Sequence, residues 1–574
     1  MNRIGYFPGS DRGNNVLSFL DKHLREQPDL ITLRWVDPRV LQQWSGKRGD
    51  PLKHETLGIG LFNEQIARVA AGFEDIGIRR GDRVILFVPM SVPLYVSMFG
   101  LQRIGAIPVF LDSWARRAHL GASANIVSPR AMISFEKAFE LCDTVPELKA
   151  VPIKVSVGPT SKKLTAAFEE LVRVNRHAEI APVEQEETAL ITFTTGSSGV
   201  PKGANRTHRF LAAQHYALNS GLPYERSDVD LPVFPIFSLN NLASGVSTVI
   251  PAFDIGVPGD RDALILRSQL ESCGVTCTTL SPSLFNRLSS FCLEQKIALS
   301  GLRRVVTGGA PVSRDNVVDF TAVAPQADIW VLFGSTEVEP MAHIEAKEMI
   351  SLRTRASEDS EWVDEGVNVG RVVQELRYRF LKIQKGPIEI KAASDWRDLV
   401  VADGHVGELI VAGEHVCRNY YNDEEAFRRA KILDENGVVW HRTGDLGRVD
   451  KEGFLWIVGR VHNAINRNGK YTFPVRSEII MKKLPFVRLC AYLGVADAKL
   501  GEKTICVIAP MDNSDLKDPA RLKEHRAELE RIMKKNGVPV DGVVFRESVP
   551  MDPRHHSKVE YDVLRKELVE AGLV

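Results

Sequence analysis

Apolar residues recur at helical spacing through FNEQIARVAAGFEDIG (residues 62–77), give way to a polar turn at Arg79–Asp82, and then run unbroken through RVILFVP (83–89). This pattern predicts a helix, a turn and a buried strand. A second helix and the strand GAIPVFLD (105–112) follow, and the alternation predicts a parallel α/β layer. The rhythm returns at ALITFTTGSSG (189–199), GVTCTTLSPSLFNRL (274–288) and LRRVVTGGAPVS (302–313). Each is a short β-branched run ending in a small-residue loop that leads into a helix, and ligands favour such carboxyl ends of strands. From Asp398 to Gly459 the runs become short and alternating (GELIVAG, VVWHRTGDLGRVD, GFLWIVGR), which predicts an antiparallel sheet or small barrel. A further α/β unit follows Arg460, with strands at RLCAYLGVAD, KTICVIAP and GVVFRES, a charged helix from Asp518 to Gly537, and the basic cluster MDPRHHSKVEY (551–561). The run from Val84 to Leu101 approaches membrane-spanning length, but Pro89 and Pro93 interrupt it and Asp82, Arg83 and Arg103 flank it. A strand turning into a buried helix accounts for it better.

A chain of 574 residues is long for one core and predicts more than one domain. Hydrophobic residues at 44% and charged residues at 25% are those of a globular protein, and 73 basic side chains balance 73 acidic ones. No global field therefore favours nucleic acid or an anionic membrane, and a charged ligand must be held locally. The seven cysteines are scattered without a CxxC pair, against both a disulfide framework and a zinc site. Cys273 and Cys277 are spaced like helix neighbours and are expected to be buried thiols. The opening MNRIGYFPGSDRGN lacks an apolar signal core, so a cytoplasmic location without a transmembrane segment is expected.

The strongest chemical signal is Thr194, Thr195, Gly196, Ser197, Ser198, Gly199, Val200, Pro201, Lys202 and Gly203, between the strand ALITF and a helix predicted to begin near Thr207. Glycines let a backbone approach an anion, hydroxyls and N–H groups supply donors, and Lys202 supplies a point charge, so the stretch reads as a phosphate cradle. It is not a Walker A loop, because Pro201 replaces the glycine before the lysine and Gly203 replaces the magnesium-binding Ser or Thr.

TTGSSGVPKG resembles the signature of the adenylate-forming superfamily of acyl-CoA synthetases, luciferases and peptide-synthetase adenylation domains. Further matches follow in the family's order: TGGAP at 307–311, FGSTE at 333–337, GEL at 407–409, HRTGD at 441–445, GR at 459–460 and Lys558. The resemblance implies an α/β fold: a large N-terminal domain (1–460) of parallel-rich layers with a β-barrel-like subdomain near 398–460, then a small mobile α+β C-terminal domain (461–574), hinged near His462. It implies ATP as cosubstrate and Mg2+. Gly309, Ala310 and Pro311 would line the adenine pocket with Phe333 stacking, beside Gly334 and Ser335. Thr336 would bond phosphate, Glu337 would hold Mg2+, Asp445 and Arg460 would bind the ribose, and Lys558 would steady the transferring charge. Val331 and Leu332 stand where relatives often carry a polar residue that reads adenine, leaving that work to backbone carbonyls.

The acceptor is where the sequence departs from thioester-forming relatives. Their hinge Asp or Lys is His462 here, their tunnel lysine is Asn466, and only Gly469 is kept. In LPVFPIFSLNN, Pro235 replaces a common His and Ser238 a glycine; Phe234, Pro235, Ile236, Phe237 and Asn240 are expected to border the acyl pocket. That segment, with GAIPVFLD, YYND and the pattern Asp552, Arg554, His555, Lys558, resembles the β-lactone synthetases of bacterial long-chain olefin biosynthesis. This resemblance implies adenylation of a long-chain 2-alkyl-3-hydroxy acid whose own hydroxyl displaces AMP, and assembly alongside other pathway enzymes. His555, three residues from Lys558 and of a residue type that titrates near neutrality, is the candidate general base, with a hydrogen-bonding strut or a phosphate contact as its alternative roles. The alternatives are a long-chain acyl-CoA ligase and a nucleotide-binding relative without turnover. Oligomeric state is not legible.

Overall fold

The computed structural model describes residues 14–47, 50–111, 117–195, 200–253, 258–356, 366–551 and 559–574. These form two compact units, one from Met1–Met341, Val373–Leu376 and Ala412–Lys431, the other from Ala342–Val372, Arg377–Val411 and Ile432–Val574.

In the first unit the apolar run after Asp82 becomes the strand Arg83–Phe87, which pairs in parallel with Ile107–Phe110 and Ala131–Ser134. Its side chains alternate between two cores. Val84 and Leu86 join a cluster that takes in the helices Ile59–Asp75 and Val92–Arg103, while Ile85 faces Val109, Met132 and Ile191 on the other side. One of the two prolines in the apparent membrane span, Pro93, finds its reason here. Ser91 caps the helix by accepting from Leu94 N, and Pro93 sits in the first turn, where no intrahelical donor is needed. No helix among the described residues is long and apolar enough to cross a membrane.

The second sheet has nine strands; seven of them run Glu55–Gly58, Ile31–Trp35, Ser247–Val249, Val229–Pro232, Cys277–Leu280, Arg304–Gly308, Asp328–Ser335, and among these seven only the first pair is antiparallel. The predicted strand-to-helix units at 274–288 and 302–313 are present, with Ser281 and Ser313 capping the helices Pro282–Gln295 and Arg314–Val323. Two expectations are corrected. Cys273 ends the helix Asp260–Ser272 and Cys277 lies in the next strand, so the two thiols are buried but do not share a helix. The helix predicted near Thr207 is present, but the signature does not run straight into it. The chain returns as the antiparallel strand Pro201–Thr207 before the helix His208–Gly221, capped by Thr207.

In the second unit the alternating segment is an open antiparallel sheet, in the order Val367–Asn368, Leu455–Arg460, Val439–Val449, Gly407–Ala412, Arg377–Leu381, with no closed barrel among the described residues. The remaining segment is α+β. Its strands Ile465–Arg467, Lys470–Thr472, Val487–Asp497, Gly501–Pro510 and Gly542–Phe545 form one sheet, with apolar clusters built on Cys490, Tyr492 and Met533, and on Leu493, Val507 and Leu564.

Candidate active site

In the first unit the candidate nucleotide residues fall at strand ends. Thr194 pairs with Lys202 and Thr195 with Pro201, so the two described ends of the signature lie side by side on antiparallel strands. Gly196, Ser197, Ser198 and Gly199 lie outside the described residues. The parallel strands Arg304–Gly308 and Asp328–Ser335 stay in register to Gly308 opposite Leu332. A Cβ on Gly308 would stand 2.3 Å from the Leu332 carbonyl oxygen, so only glycine permits this approach. Gly309 follows with φ +87°, turning the chain at the strand's carboxyl end, and Ala310 and Pro311 continue beyond it. Val331 and Leu332 are buried and offer no polar side chain to a base. Phe333, Gly334 and Ser335 are half-buried at the carboxyl end, and the Ser335 hydroxyl is buried without a hydrogen-bond partner among the described residues. A polar atom left over at a strand's carboxyl end suits a bound nucleotide.

Thr336 and Glu337 form the two-residue turn into the strand Val338–Glu345. Their backbone is pinned on both sides: buried Arg206 donates to Thr336 O at 2.7 Å, and Cys417 N donates to Glu337 O at 2.8 Å. The Glu337 carboxylate is held by Tyr420, whose hydroxyl donates to Oε1 at 2.9 Å. The ring of Tyr420 has two ammonium groups near it, Lys202 Nζ at 5.8 Å and Lys431 Nζ at 5.2 Å from its centroid. Lys431 is buried and also donates to the Cys417 carbonyl. Burial lowers the Lys431 pKa, and burial beside the Glu337 carboxylate raises that of the Tyr420 phenol far above its usual value, so Tyr420 stays a donor. Tyr420, Lys431 and Arg206 carry this arrangement yet were not among the candidates. YYND stood out in the sequence only as a mark of resemblance.

Among the described residues no group of three or more His, Cys, Asp or Glu side chains could hold a metal ion. One tethered carboxylate fits the usual manner of Mg2+, which keeps waters and binds through one or two carboxylates plus substrate phosphates.

The predicted acyl segment is the helix Pro235–Ser244, with Phe234 before it and proline at its first position. Phe237 packs with Val306, Leu332, Leu218 and Leu222, and Phe234 joins them, so the helix start rests on the two strands that carry TGGAP and FGSTE. Ile236 and Asn240 face a cavity further along. Ser238, where relatives have glycine, accepts from the buried Tyr95 hydroxyl at 2.8 Å.

In the second unit Asp445 and Arg460 are register partners on adjacent antiparallel strands, and Arg460 Nη1 donates to Asp445 Oδ1 at 2.7 Å. Gly444, at φ +70°, lies under that guanidinium. Two other motif residues prove structural: Glu408 of GEL and Arg442 of HRTGD form a buried ion pair at 2.6 Å. Burial, then the Arg460 charge, pushes the His462 imidazole down to about 4, so it is neutral at physiological pH. Asn468 and Gly469, at φ +53° and +77°, form the tight turn between the strands Ile465–Arg467 and Lys470–Thr472. The hairpin thus gives Gly469 a backbone reason of its own. His555 and Lys558 lie outside the described residues.

The sequence profile described as AMP-binding enzyme matches residues 34–421. An olefin beta-lactone synthetase of Stenotrophomonas maltophilia (strain K279a) is 30% identical over 561 residues, covering 96% of this chain and 97% of that protein. 4-Coumarate–CoA ligase 3 of Oryza sativa subsp. japonica is 24% identical over 517 residues, 87% of this chain and 84% of that protein. Among solved structures, ATP-bound MatB of Rhodopseudomonas palustris superposes with a TM-score of 0.74 at 18% identity, over 97% of this chain and 99% of that one.

Proposed function

This chain belongs to the AMP-binding family of adenylate-forming enzymes, and from that premise we propose that it adenylates a long-chain 2-alkyl-3-hydroxy acid and releases a β-lactone. The observation that carries the reading is the 30% identity to an olefin beta-lactone synthetase along 96% of the chain. Two local features support it. Asn466 stands where a tunnel lysine would serve CoA, and the hairpin accounts for Gly469 without a thiol.

In the proposed first step a substrate carboxylate oxygen attacks the ATP α-phosphorus and diphosphate leaves. The loop from Thr194 to Lys202 would cradle phosphate, and Gly309, Ala310, Pro311 and Phe333 would take the adenine. Thr336 would bond phosphate, and Glu337, oriented by Tyr420, would hold Mg2+, which would neutralise phosphate charge. Asp445 and Arg460 would bind ribose, and Lys558, on a C-terminal domain pivoting near His462, would stabilise the transferring charge. In the second step the 3-hydroxyl attacks the acyl carbon, its proton passes to a base for which His555 is the candidate, and AMP leaves. An intramolecular nucleophile needs no second binding site.

The test is incubation with ATP, Mg2+ and a 3-hydroxy acid, with and without CoA, and identification of the product by mass. AMP with a product lighter than the acid by one water, in the absence of CoA, supports the reading. AMP formation that depends on CoA would make the protein an acyl-CoA ligase.

A further inference from the structure

Arg206 lies in the strand Pro201–Thr207, opposite Leu190 on the neighbouring strand, and is 3% exposed. The other edge of its strand is covered by residues 419–421: Asn205 N donates to Asn419 O at 3.3 Å, and Tyr421 N to Gly203 O at 2.8 Å. Just before, the same stretch meets the second motif, where Val416 bridges to Val338 and Cys417 N donates to Glu337 O. Residues 416–421 therefore clasp the signature strand to the strand that follows FGSTE, and among the described residues this clasp reaches Glu337. The peptide before it is held by a side chain: Arg206 Nη2 donates to Thr336 O at 2.7 Å.

For stability alone this guanidinium is a poor strut. Its Nε and Nη1 are buried without a hydrogen-bond partner among the described residues, and its central carbon stands 5.4 Å from the centroid of the Phe210 ring. Burial lowers its pKa, against the pull of the Glu339, Cys417 and Glu337 charges, yet an arginine side chain stays cationic in a protein. Taking such an ion out of water destabilises a fold, and an apolar side chain of similar volume often leaves it as stable or more so. What the charge does hold is the one turn that carries both Thr336, the candidate for phosphate, and Glu337, the candidate for Mg2+. Charge-assisted hydrogen bonds are shorter than neutral ones and roughly twice as strong, so this carbonyl is fixed more firmly than a neutral donor would fix it.

We infer that Arg206 is a positioning residue for adenylation, whose charged hydrogen bond to Thr336 O sets the Thr336–Glu337 turn against the strand that carries Lys202. The inference rests on the adenylating reading above. In that reading Arg206 touches no substrate and acts through Thr336. Transfer of the adenylyl group needs Lys202, Thr336 and Glu337 in place together, and a misplacement of about 1 Å costs on the order of 10²-fold in rate. The buried charge thus serves catalysis at the expense of stability, and the two effects separate on substitution. Thr336 is half-buried, so its carbonyl turns to water when the guanidinium is removed.

The test compares Arg206→Met and Arg206→Leu with the parent protein, by thermal unfolding and by pyrophosphate exchange with a chain-length series of 3-hydroxy acids. In both variants kcat for exchange should fall by about 10- to 100-fold while KM for ATP stays within about threefold, the mark of an interaction that matters in the transition state. The unfolding midpoint should equal or exceed that of the parent, because the unpaired buried charge is gone. An unchanged kcat overturns the inference whatever happens to the midpoint. So does a raised KM for ATP with kcat intact, which would make the role one of ground-state binding. A fall in kcat that tracks a fall in the midpoint across the two variants would reduce Arg206 to a strut for the fold. In all three cases adenylation by the parent stands. A parent protein that exchanges no pyrophosphate with any of the acids removes the adenylating reading, and the inference with it.

Discussion

The Tyr420 hydroxyl donates to Glu337 Oε1 at 2.9 Å while the Tyr420 ring lies within 6 Å of the Lys202 and Lys431 ammonium groups. One aromatic residue thus touches the carboxylate proposed for Mg2+ and the lysine of the signature. Hydrogen bonds to charged groups contribute about 1.5–3 kcal/mol. Tyr420→Phe should therefore raise the Mg2+ concentration needed for half-maximal pyrophosphate exchange by about 10- to 100-fold. An unchanged Mg2+ dependence would mean that Tyr420 does not orient Glu337.

Gly308 allows two strands to approach where no Cβ fits, 2.3 Å from the Leu332 carbonyl oxygen. Gly308→Ala should force those strand ends apart, at about 1–3 kcal/mol in stability, and weaken ATP binding as well. Thermal unfolding and nucleotide titration of the same variant check both effects. Normal ATP affinity in a destabilised variant would separate the strand packing from the nucleotide site.

Glu478 is the half-buried acceptor for Tyr561 O–H at 2.5 Å and Tyr492 N at 3.1 Å, and desolvation raises its carboxyl to about 7 from an ordinary 4.5. The folded state therefore holds a proton that the unfolded chain releases between those values. This contribution is fully present below about 4.5, fades as pH rises toward 7, and is absent above it, a swing of order 1–3 kcal/mol. Glu478→Gln should flatten that part of the stability profile and unfold later than the parent at pH 8 in a denaturant titration. A profile equally steep in both proteins would contradict the assignment.

Lys558→Ala should suppress acid-dependent pyrophosphate exchange by on the order of 10²–10³ if Lys558 stabilises the transferring charge. His555→Gln should leave exchange largely intact while slowing lactone release by roughly 10²–10⁴, the usual range for a lost general base. Equal loss of exchange in both variants would make His555 part of the ATP site.

Much of the architecture was legible because its signals are local. The apolar run after Asp82 and the serine-capped helices at 281 and 313 each declare themselves within a dozen residues. The strand Pro201–Thr207 was missed because it opens on a proline and glycine soon follows; it lies at the sheet's edge, where proline at the first position is tolerated. An antiparallel sheet and a small barrel were both open at 398–459 because an open sheet and a closed one share the same alternation, and the structure has the open sheet. Tyr420 and Lys431 were invisible as site residues for another reason. They lie far along the chain from Glu337, and only the folded backbone, through Cys417 N on Glu337 O, brings them together.

The central claim is that the carboxylate is activated and the hydroxyl attacks, and oxygen tracing tests it directly. A 2-alkyl-3-hydroxy acid carrying oxygen-18 in both carboxylate positions, turned over with ATP and Mg2+ without CoA, should give AMP with one heavy oxygen and a β-lactone with one, in its carbonyl. Unlabelled AMP beside a lactone that keeps both heavy oxygens would show that the hydroxyl, not the carboxylate, is activated, and would contradict the account.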